Sequence, residues 1–301
     1  MPTNSAAWLT AEKKRPLEIG SPNYPTILGQ DVAGEIVEVG SAVSRFSVGD
    51  RVLGYGTNLR SKQDSSSAFQ LYTVVPEHIV SPIPSSLSYE AAAVLPLGVS
   101  TAAVGLFQKD FLNLQRPSIP SKPTGQTLLV WGGSSSVGSN TIQLAVHAGY
   151  EVITTASPRN FDYVKKLGAS EVFDYHSPTV VNDLVTALQG KKLAGAYDAI
   201  GVFHIIADVL TRLGGNHFIA SALAVPEDLP SGISARLIFA VISDVEFGLS
   251  IYRDFLPRAL AEGKYVAAPE PLVVGKGLEY VQEGIDLNMK GVSARKVVLS
   301  F

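Results

Sequence analysis

Residues 127–155, TLLVWGGSSSVGSNTIQLAVHAGYEVITT, leave few folds open, because they spell strand, glycine-serine turn, helix and second strand without interruption. Residues 128–131 are a short apolar run closed by Gly132 and Gly133, the pattern of a parallel strand buried on both faces. From about Val137 the period becomes helical. Val137, Thr141, Leu144, Ala145 and Ala148 share one face, and Asn140, Gln143 and His147 form a polar stripe opposite. Gly149 ends the helix, and residues 151–155 read as the next strand. Such a unit binds the pyrophosphate of a dinucleotide at the helix N-terminus, where free N–H groups and the helix dipole meet the negative charge.

Aligned to G-x-G-x-x-G, the turn reads Gly133, Ser134, Ser135, Ser136, Val137, Gly138, with serine in place of the middle glycine. Gly133 suits the tight turn and Gly138 a close approach of helix to strand, while the hydroxyls of Ser134, Ser135 and Ser136 are donors for phosphate oxygens. The competing reading is a glycine-serine loop that caps an ordinary helix. Its placement between strand and helix, with further strands behind, favours the nucleotide. A site for NAD carries Asp or Glu roughly 20 residues past the glycines, bonded to the ribose hydroxyls. Here Thr154, Thr155, Ala156, Ser157, Pro158, Arg159 and Asn160 occupy that region. Hydroxyls, an amide and a guanidinium suit a 2′-phosphate, so the expected cofactor is NADPH. The alternative for Arg159 is a solvated residue opening the next helix.

At 301 residues the chain has room for two domains. A net charge of -3 without a basic cluster gives no footprint for nucleic acid, and the expected partner is a small molecule. The absence of cysteine excludes disulfides, a thiolate nucleophile and cysteine-ligated zinc. His78, His147, His176, His204 and His217 show no ligand spacing, so no metal is assigned. Residues 1–11 lack the basic start and apolar core of a signal peptide, which makes a cytoplasmic location the expectation. The longest uncharged run, 91–107, is broken by Pro96, Gly98, Ser100 and Thr101. It reads as paired buried helix pieces, with no membrane span.

The first 23 residues say little. Residues 6–9 are a strand start, and the patch Glu12, Lys13, Lys14, Arg15 is a solvated turn. Further strands are expected at 31–39, ending at Gly40, and at 51–53, after the turn Val48-Gly49-Asp50. Residues 69–75 alternate, with Phe69, Leu71, Thr73 and Val75 on one face. Short strands at this spacing suggest a small barrel, with 61–67 as a polar loop tip. Ser88 is placed to cap a helix beginning at Tyr89, with Glu90 in its first turn. Residues 109–126, with Pro117, Pro120 and Pro123, read as a surface connection.

After the central stretch the alternation continues. A helix at 160–167, a strand at 171–174, a helix at 180–188 and strands at 196–200 and 216–221 make a doubly wound parallel sheet, an α/β fold. Tyr175, Gly201 and Ala220 fall at or just past strand C-termini, where such sheets bind ligands. Residues 239–301 end in a helix near 278–287 and a strand at 295–299, and these elements fit either domain.

From about Tyr24 onward the chain resembles the zinc-independent branch of the medium-chain dehydrogenase/reductase family, the quinone oxidoreductases and enoyl reductases. The marks are Leu28-Gly29-Gln30-Asp31-Val32-Ala33-Gly34, Val39-Gly40, Val48-Gly49-Asp50-Arg51-Val52, Ser100-Thr101-Ala102, the glycine-serine turn, Leu167-Gly168-Ala169 and Gly291-Val292-Ser293. Ser157-Pro158-Arg159-Asn160-Phe161 looks most like a fungal subgroup that includes stand-alone polyketide enoyl reductases. Where zinc-dependent relatives have His-Glu, this chain has Gln30-Asp31.

The resemblance implies a GroES-like, β-barrel-type catalytic domain and a Rossmann domain. Residues 1–95 would form the first part of the catalytic domain, 96–238 the NADPH-binding domain, and 239–301 a segment returning to the catalytic domain. It implies Thr101 at the nicotinamide, Ser157, Arg159 and Asn160 at the 2′-phosphate, and Tyr175 at the adenosine ribose or its phosphate. Tyr175 also reads as a rim aromatic, and Thr101 as a helix cap. The catalytic domain is shortened. Family members carry two strands and an Asn-Pro segment where only Gly20-Ser21-Pro22-Asn23 bridges the gap here, on the order of 30 residues fewer.

The implied activity is NADPH-dependent reduction of an activated C=C bond, in an enone, a quinone or an enoyl thioester. Without zinc, hydrogen-bond donors must hold the conjugated carbonyl while hydride reaches the β-carbon. Tyr55 is a conceivable proton donor or a structural tyrosine at a turn, and no catalytic acid is assigned. Two other readings stand beside this one. The chain is a non-catalytic NADPH-binding protein, or it is an enoyl reductase that acts only on a carrier-bound polyketide.

Overall fold

The computed structural model describes residues 3–9 and 25–301, so the patch at 12–15 and the bridge at 20–23 lie outside the described residues. In chain order the first strands are Trp8–Leu9 (β1), Thr26–Ile27 (β2), Asp31–Glu35 (β3), Arg51–Tyr55 (β4) and Val80–Pro82 (β5). Then come Thr127–Trp131 (β6), Glu151–Ala156 (β7), Glu171–Asp174 (β8), Leu193–Asp198 (β9), Phe218–Ser221 (β10) and Ser234–Leu237 (β11). Glu270–Lys276 (β12) and Arg295–Ser300 (β13) follow. The helices are Asn58–Ser61 (α1), Tyr89–Ala92 (α2), Pro96–Phe107 (α3), Ser136–His147 (α4), Phe161–Lys166 (α5) and Val180–Leu188 (α6). Phe203–Thr211 (α7), Val245–Tyr252 (α8), Leu256–Ala261 (α9) and Val281–Lys290 (α10) complete the set.

Two compact units result. One comprises the described residues as far as Leu97 together with Val241–Phe301, and the other is Gly98–Ala240. The second unit is organised by a six-stranded sheet in the order β11-β10-β9-β6-β7-β8, with every neighbouring pair parallel. Parallel neighbours need crossovers, and the helices of these crossovers supply the apolar cover that lets β6 and β9 be buried along their whole length. Leu129 and Trp131 of β6 pack in one core with Leu184 and Leu188 of α6 and Phe203, Ile206 and Leu210 of α7. Tyr197 of β9 belongs to the opposite face, against Thr101 and Gly105 of α3.

The first unit is built from short sheets. β3, β4 and β5 form a three-stranded antiparallel sheet, β1 pairs with β2, and β12 pairs in parallel with β13. Ser88 caps α2, its Oγ accepting the N–H of Ala91 at 3.1 Å. Asp31 joins three parts of this unit. Its carboxylate accepts the N–H of Leu97 at 2.7 Å, at the start of α3, and lies 2.8 Å from Lys296 Nζ on β13.

Three expectations are corrected. Residues 69–75 do not form a strand, and only Gln70 makes a single bridge, to Ala6. The side chains there take the backbone instead. Gln70 Nε2 donates to the carbonyls of Asp64 and Ser67 at 2.7 and 2.6 Å, and Thr73 Oγ1 donates to Ser67 at 2.9 Å. Residues 61–67 are no polar loop tip, since Ser66 and Ser67 are buried and Ser67 Oγ donates to the Ile27 carbonyl. The polar stripe of α4 is not at the surface. Asn140 and Gln143 are buried because α3 lies on that face, where a Cβ on Gly98 would stand 2.5 Å from Asn140 Nδ2. Asn140 also donates to the Ser136 carbonyl at 2.8 Å, which satisfies its amide inside the fold.

Candidate functional site

In the sheet order, β6 has β7 on one side and β9 on the other. The chain leaves β6 toward β7 and reaches β9 only later, so the C-terminal ends of β6 and β9 flank a topological switch point. That is where an open parallel sheet has a crevice for ligands. The turn from β6 into α4 sits there. Gly132 has φ +84°, its N–H donates to Thr155 Oγ1 at 3.0 Å, and the N–H of Gly133 donates to the Thr155 carbonyl at 2.9 Å. A Cβ on Gly133 would stand 2.3 Å from Thr154 Oγ1, and one on Gly138 would stand 2.2 Å from the Gly132 carbonyl oxygen. The backbone thus approaches so closely that only glycine fits at either position.

The three serines of the turn separate in role. Ser135 is the N-cap of α4, its Oγ accepting the Gly138 N–H at 3.0 Å. Ser136 Oγ is buried and has no hydrogen-bond partner among the described residues. A buried hydroxyl without a partner is unfavourable unless something else meets it, and here it lies in the first turn of a helix. Ser134 is half-buried beside them. Val137 is the second residue of the helix, its carbonyl accepting from Thr141 Oγ1 at 2.9 Å. Ser139 was not foreseen from sequence. Its hydroxyl donates to the Gly133 carbonyl at 3.2 Å and lies 2.8 Å from the Tyr163 hydroxyl, bracing the turn from behind.

β7 ends at Ala156 without a carboxylate. Ser157 and Asn160 are both buried and are brought together, Asn160 Nδ2 donating to Ser157 Oγ at 3.2 Å across the turn Pro158–Asn160. Arg159, at the centre of that turn, is exposed, and no described residue pairs with its guanidinium. On the neighbouring strand Asp174 is the register partner of Ala156. Asp174 Oδ1 accepts the backbone N–H of His176 at 3.0 Å and lies 2.9 Å from His176 Nδ1. These bonds, the backbone one foremost, hold the Asp174 carboxyl below the ordinary aspartate value. Tyr175 between them is 40% exposed, with its ring 4.0 Å from the His176 ring.

The remaining positions gather at β9 and β10. Gly201, with φ +81°, lies in the turn after β9, and Ala220 is a buried residue inside β10, paired with Tyr197 and Arg236. Thr101 is nearly buried within α3, past its first turn, so it is not a cap of that helix. Its carbonyl accepts the Tyr197 hydroxyl at 2.8 Å. All of these positions belong to the second unit. In the first unit Tyr55 closes β4, buried, its hydroxyl oxygen accepting Gln30 Nε2 at 2.8 Å. Burial, with the nearby Asp31 carboxylate, raises the phenol's pKa well above the ordinary tyrosine value. No group of three or more His, Cys, Asp or Glu with the geometry of a metal site occurs among the described residues.

Comparison with known proteins adds a second line of observation. The alcohol dehydrogenase GroES-like domain family matches residues 8–85, and the zinc-binding dehydrogenase family matches residues 136–239. The dehydrogenase azaJ of Aspergillus niger is 48% identical over 286 residues, covering 92% of this chain and 82% of that protein. The trans-enoyl reductase himH of Aspergillus japonicus is 43% identical over 281 residues, covering 92% and 81%. The dehydrogenase pigH of Monascus ruber is 43% identical over an alignment of 369 positions that covers 100% of both chains. With 301 residues here, about 68 of those positions (369 less 301) have no residue in this chain. Among solved structures, an alcohol dehydrogenase superfamily protein from Novosphingobium aromaticivorans matches with a TM-score of 0.72 at 24% identity, covering 92% of this chain and 82% of that one. At that identity the likeness is one of fold.

Proposed function

The chain belongs to the medium-chain dehydrogenase/reductase family, an oxidoreductase with a nicotinamide cofactor, and on that premise we propose that it reduces activated C=C bonds with NADPH. The end of β7 carries the choice of cofactor. No carboxylate stands there to bind the ribose hydroxyls, while the Arg159 guanidinium is exposed and unengaged by any described residue. A 2′-phosphate is the group that this guanidinium matches in charge and geometry.

The residues present fit the cofactor. Gly133 and Gly138 let α4 start close against β6 and β7, which sets the turn at the helix N-terminus, and Ser136 Oγ there is a buried donor without a partner among the described residues. The turn 133–138 would hold the pyrophosphate, and Ser157 with Arg159 the 2′-phosphate. Tyr175 would cover the adenosine, and Thr101 with Gly201 would border the nicotinamide. When bound, the cofactor supplies the hydride. The chain's own task is to bind, orient and exclude water.

The substrate class follows from the donor set. The chain has no cysteine, and Gln30 and Asp31 are engaged with Tyr55, Leu97 and Lys296, so hydrogen-bond donors are the means of polarising a carbonyl. An enone, a quinone or an enoyl thioester is activated enough for that. The trans-enoyl reductase himH, as a relative, favours the enoyl thioester, which in a polyketide pathway is carrier-bound. Tyr55 is a weak choice of acid, because a useful proton donor has a pKa near the working pH and burial moves this one the other way. A second reading, a protein that binds NADPH without turnover, draws on the alignment positions that this chain lacks.

The test is binding first. NADPH should raise the melting temperature of the purified chain more than NADH does. Replacing the guanidinium in Arg159→Ala should cut the preference for NADPH by about 10- to 100-fold, the worth of one charge-assisted hydrogen bond. Equal affinity of the unaltered protein for both cofactors would overturn the choice of NADPH. Single-turnover oxidation of bound NADPH by enones, quinones and an enoyl thioester on a carrier separates the reductase from the non-catalytic reading.

A further inference from the structure

The last two residues of β9, Tyr197 and Asp198, are both fully buried, and neither belongs to the glycine-serine turn. Successive side chains of a strand point to opposite faces, so the two act on different elements. Tyr197 donates its hydroxyl to the Thr101 carbonyl at 2.8 Å, and a Cβ on Gly105, one turn further along α3, would stand 2.6 Å from its ring. Its other polar neighbour is the Thr141 hydroxyl on α4, the helix that opens at the glycine-serine turn. Burial raises the pKa of the phenol, so it keeps its proton and stays a donor.

Asp198 works on the other face. Its carboxylate accepts the N–H groups of Ile200 at 3.2 Å, Gly201 at 2.8 Å and Val202 at 2.9 Å, and the Ser221 hydroxyl at 3.4 Å. The carboxylate is thereby met by three backbone N–H groups, since the Ser221 hydroxyl has its shorter bond to the Leu223 carbonyl at 2.9 Å. The Asp198 carbonyl accepts the Ala222 N–H at 2.8 Å, which ties the turn 200–202 to the end of β10. Sequence reading placed Gly201 at a strand end without finding what holds it. The sheet order says which part of the ligand these contacts serve. Arg159 and Tyr175 follow β7 and β8, which lie on one side of β6, and β9 lies on the other. With the pyrophosphate at the turn after β6, the half of the dinucleotide away from the 2′-phosphate extends toward β9.

We propose that Tyr197 and Asp198 are positioning residues for the nicotinamide half of the cofactor, Tyr197 by fixing Thr101 on α3 and Asp198 by fixing the turn 200–202. The proposal rests on the NADPH reading above. It is tested by calorimetric titration of the full chain with two ligands, NADP+ and 2′-phospho-ADP-ribose, which lacks only the nicotinamide. Tyr197→Phe and Asp198→Asn should each weaken NADP+ by about 3- to 10-fold, one hydrogen bond's worth, and leave 2′-phospho-ADP-ribose unchanged. Arg159→Ala should weaken both ligands. Equal weakening of the two ligands by Tyr197→Phe, or no change in either, would overturn the proposal, and that variant decides alone if Asp198→Asn does not melt cooperatively. Failure of the unaltered protein to bind either ligand would overturn the cofactor reading, and this proposal with it.

Discussion

The two units treat their strands differently. Every residue of β6 and β9 is buried, whereas β3 and β12 contain no fully buried residue. The contrast follows from connectivity. Parallel strands joined by helices bring their own cover for both faces, while antiparallel and two-stranded sheets leave one face to solvent. In the second unit the core, the glycine-serine turn and the supports of that turn are therefore one packed object. In the first, polar links such as Asp31 with Lys296 and Leu97 join the short sheets to one another and to α3.

The sharpest way to break this comparison is a pair of truncations. Leu129→Ala, at a fully buried site of β6, is expected to lower stability by about 2 to 5 kcal/mol. Val273→Ala, on β12 and 46% exposed, should change it by less than about 0.5 kcal/mol. Chemical denaturation measures both, and similar values would remove the distinction. Next in size is Gly138→Ala. The added Cβ meets backbone atoms of Gly132 and Gly133 at 2.2 and 2.9 Å, where no flexible side chain can give way. A loss of about 1 to 3 kcal/mol is expected. A fall in NADPH affinity should accompany it, read by titration, and unchanged affinity would detach the turn from the cofactor.

The smallest effect concerns the opposite end of the parallel sheet. Glu151 accepts Lys191 Nζ at 2.7 and 2.9 Å and Thr127 Oγ1 at 2.6 Å, and the lysine bond foremost holds its carboxyl below the ordinary value of 4.5. A depressed carboxylate contributes stability above its unfolded pKa, and that contribution is lost as pH falls through the folded one. Glu151→Gln should therefore flatten the acid limb of the stability profile below pH 4.5 and leave its shape near neutrality unchanged. With the side chain 37% exposed, solvent keeps the change small. An unaltered acid limb would mean that the sheet is indifferent to charge at this edge.

The same contrast governs what could be read in advance. The β6-α4-β7 unit was legible because its signals are local: an apolar run, glycines, a helical period and a second run within 30 residues. The strand expected at 69–75 failed because alternation records only side-chain polarity, and Gln70 and Thr73 used theirs to bond the backbone. β11 was missed because Ser234–Leu237 is an edge strand with little burial and so little apolar pattern. Asn140 and Gln143 looked solvated because nothing local announces that α3, with Gly98 and Gly105 seven residues apart on one face, lies against α4 and β9. In the site, Gly133 and Gly138 were visible as glycines. Tyr197 and Asp198 were not, since a buried tyrosine and a buried aspartate are identified by their partners, which lie at Thr101 and Ser221.

The ion pair between Asp31 and Lys296 bears on how the chain is made. Gly98–Ala240 is one continuous stretch, so during synthesis it has all its partners once Ala240 has emerged. The other unit starts with β1 to β5 but gains β12 and β13 only at the far end, and long-range pairings of that kind form slowly. Until Lys296 is made, Asp31 lacks the cation that it pairs with in the complete fold. The second unit can thus be in place while the first is still waiting for its last strand.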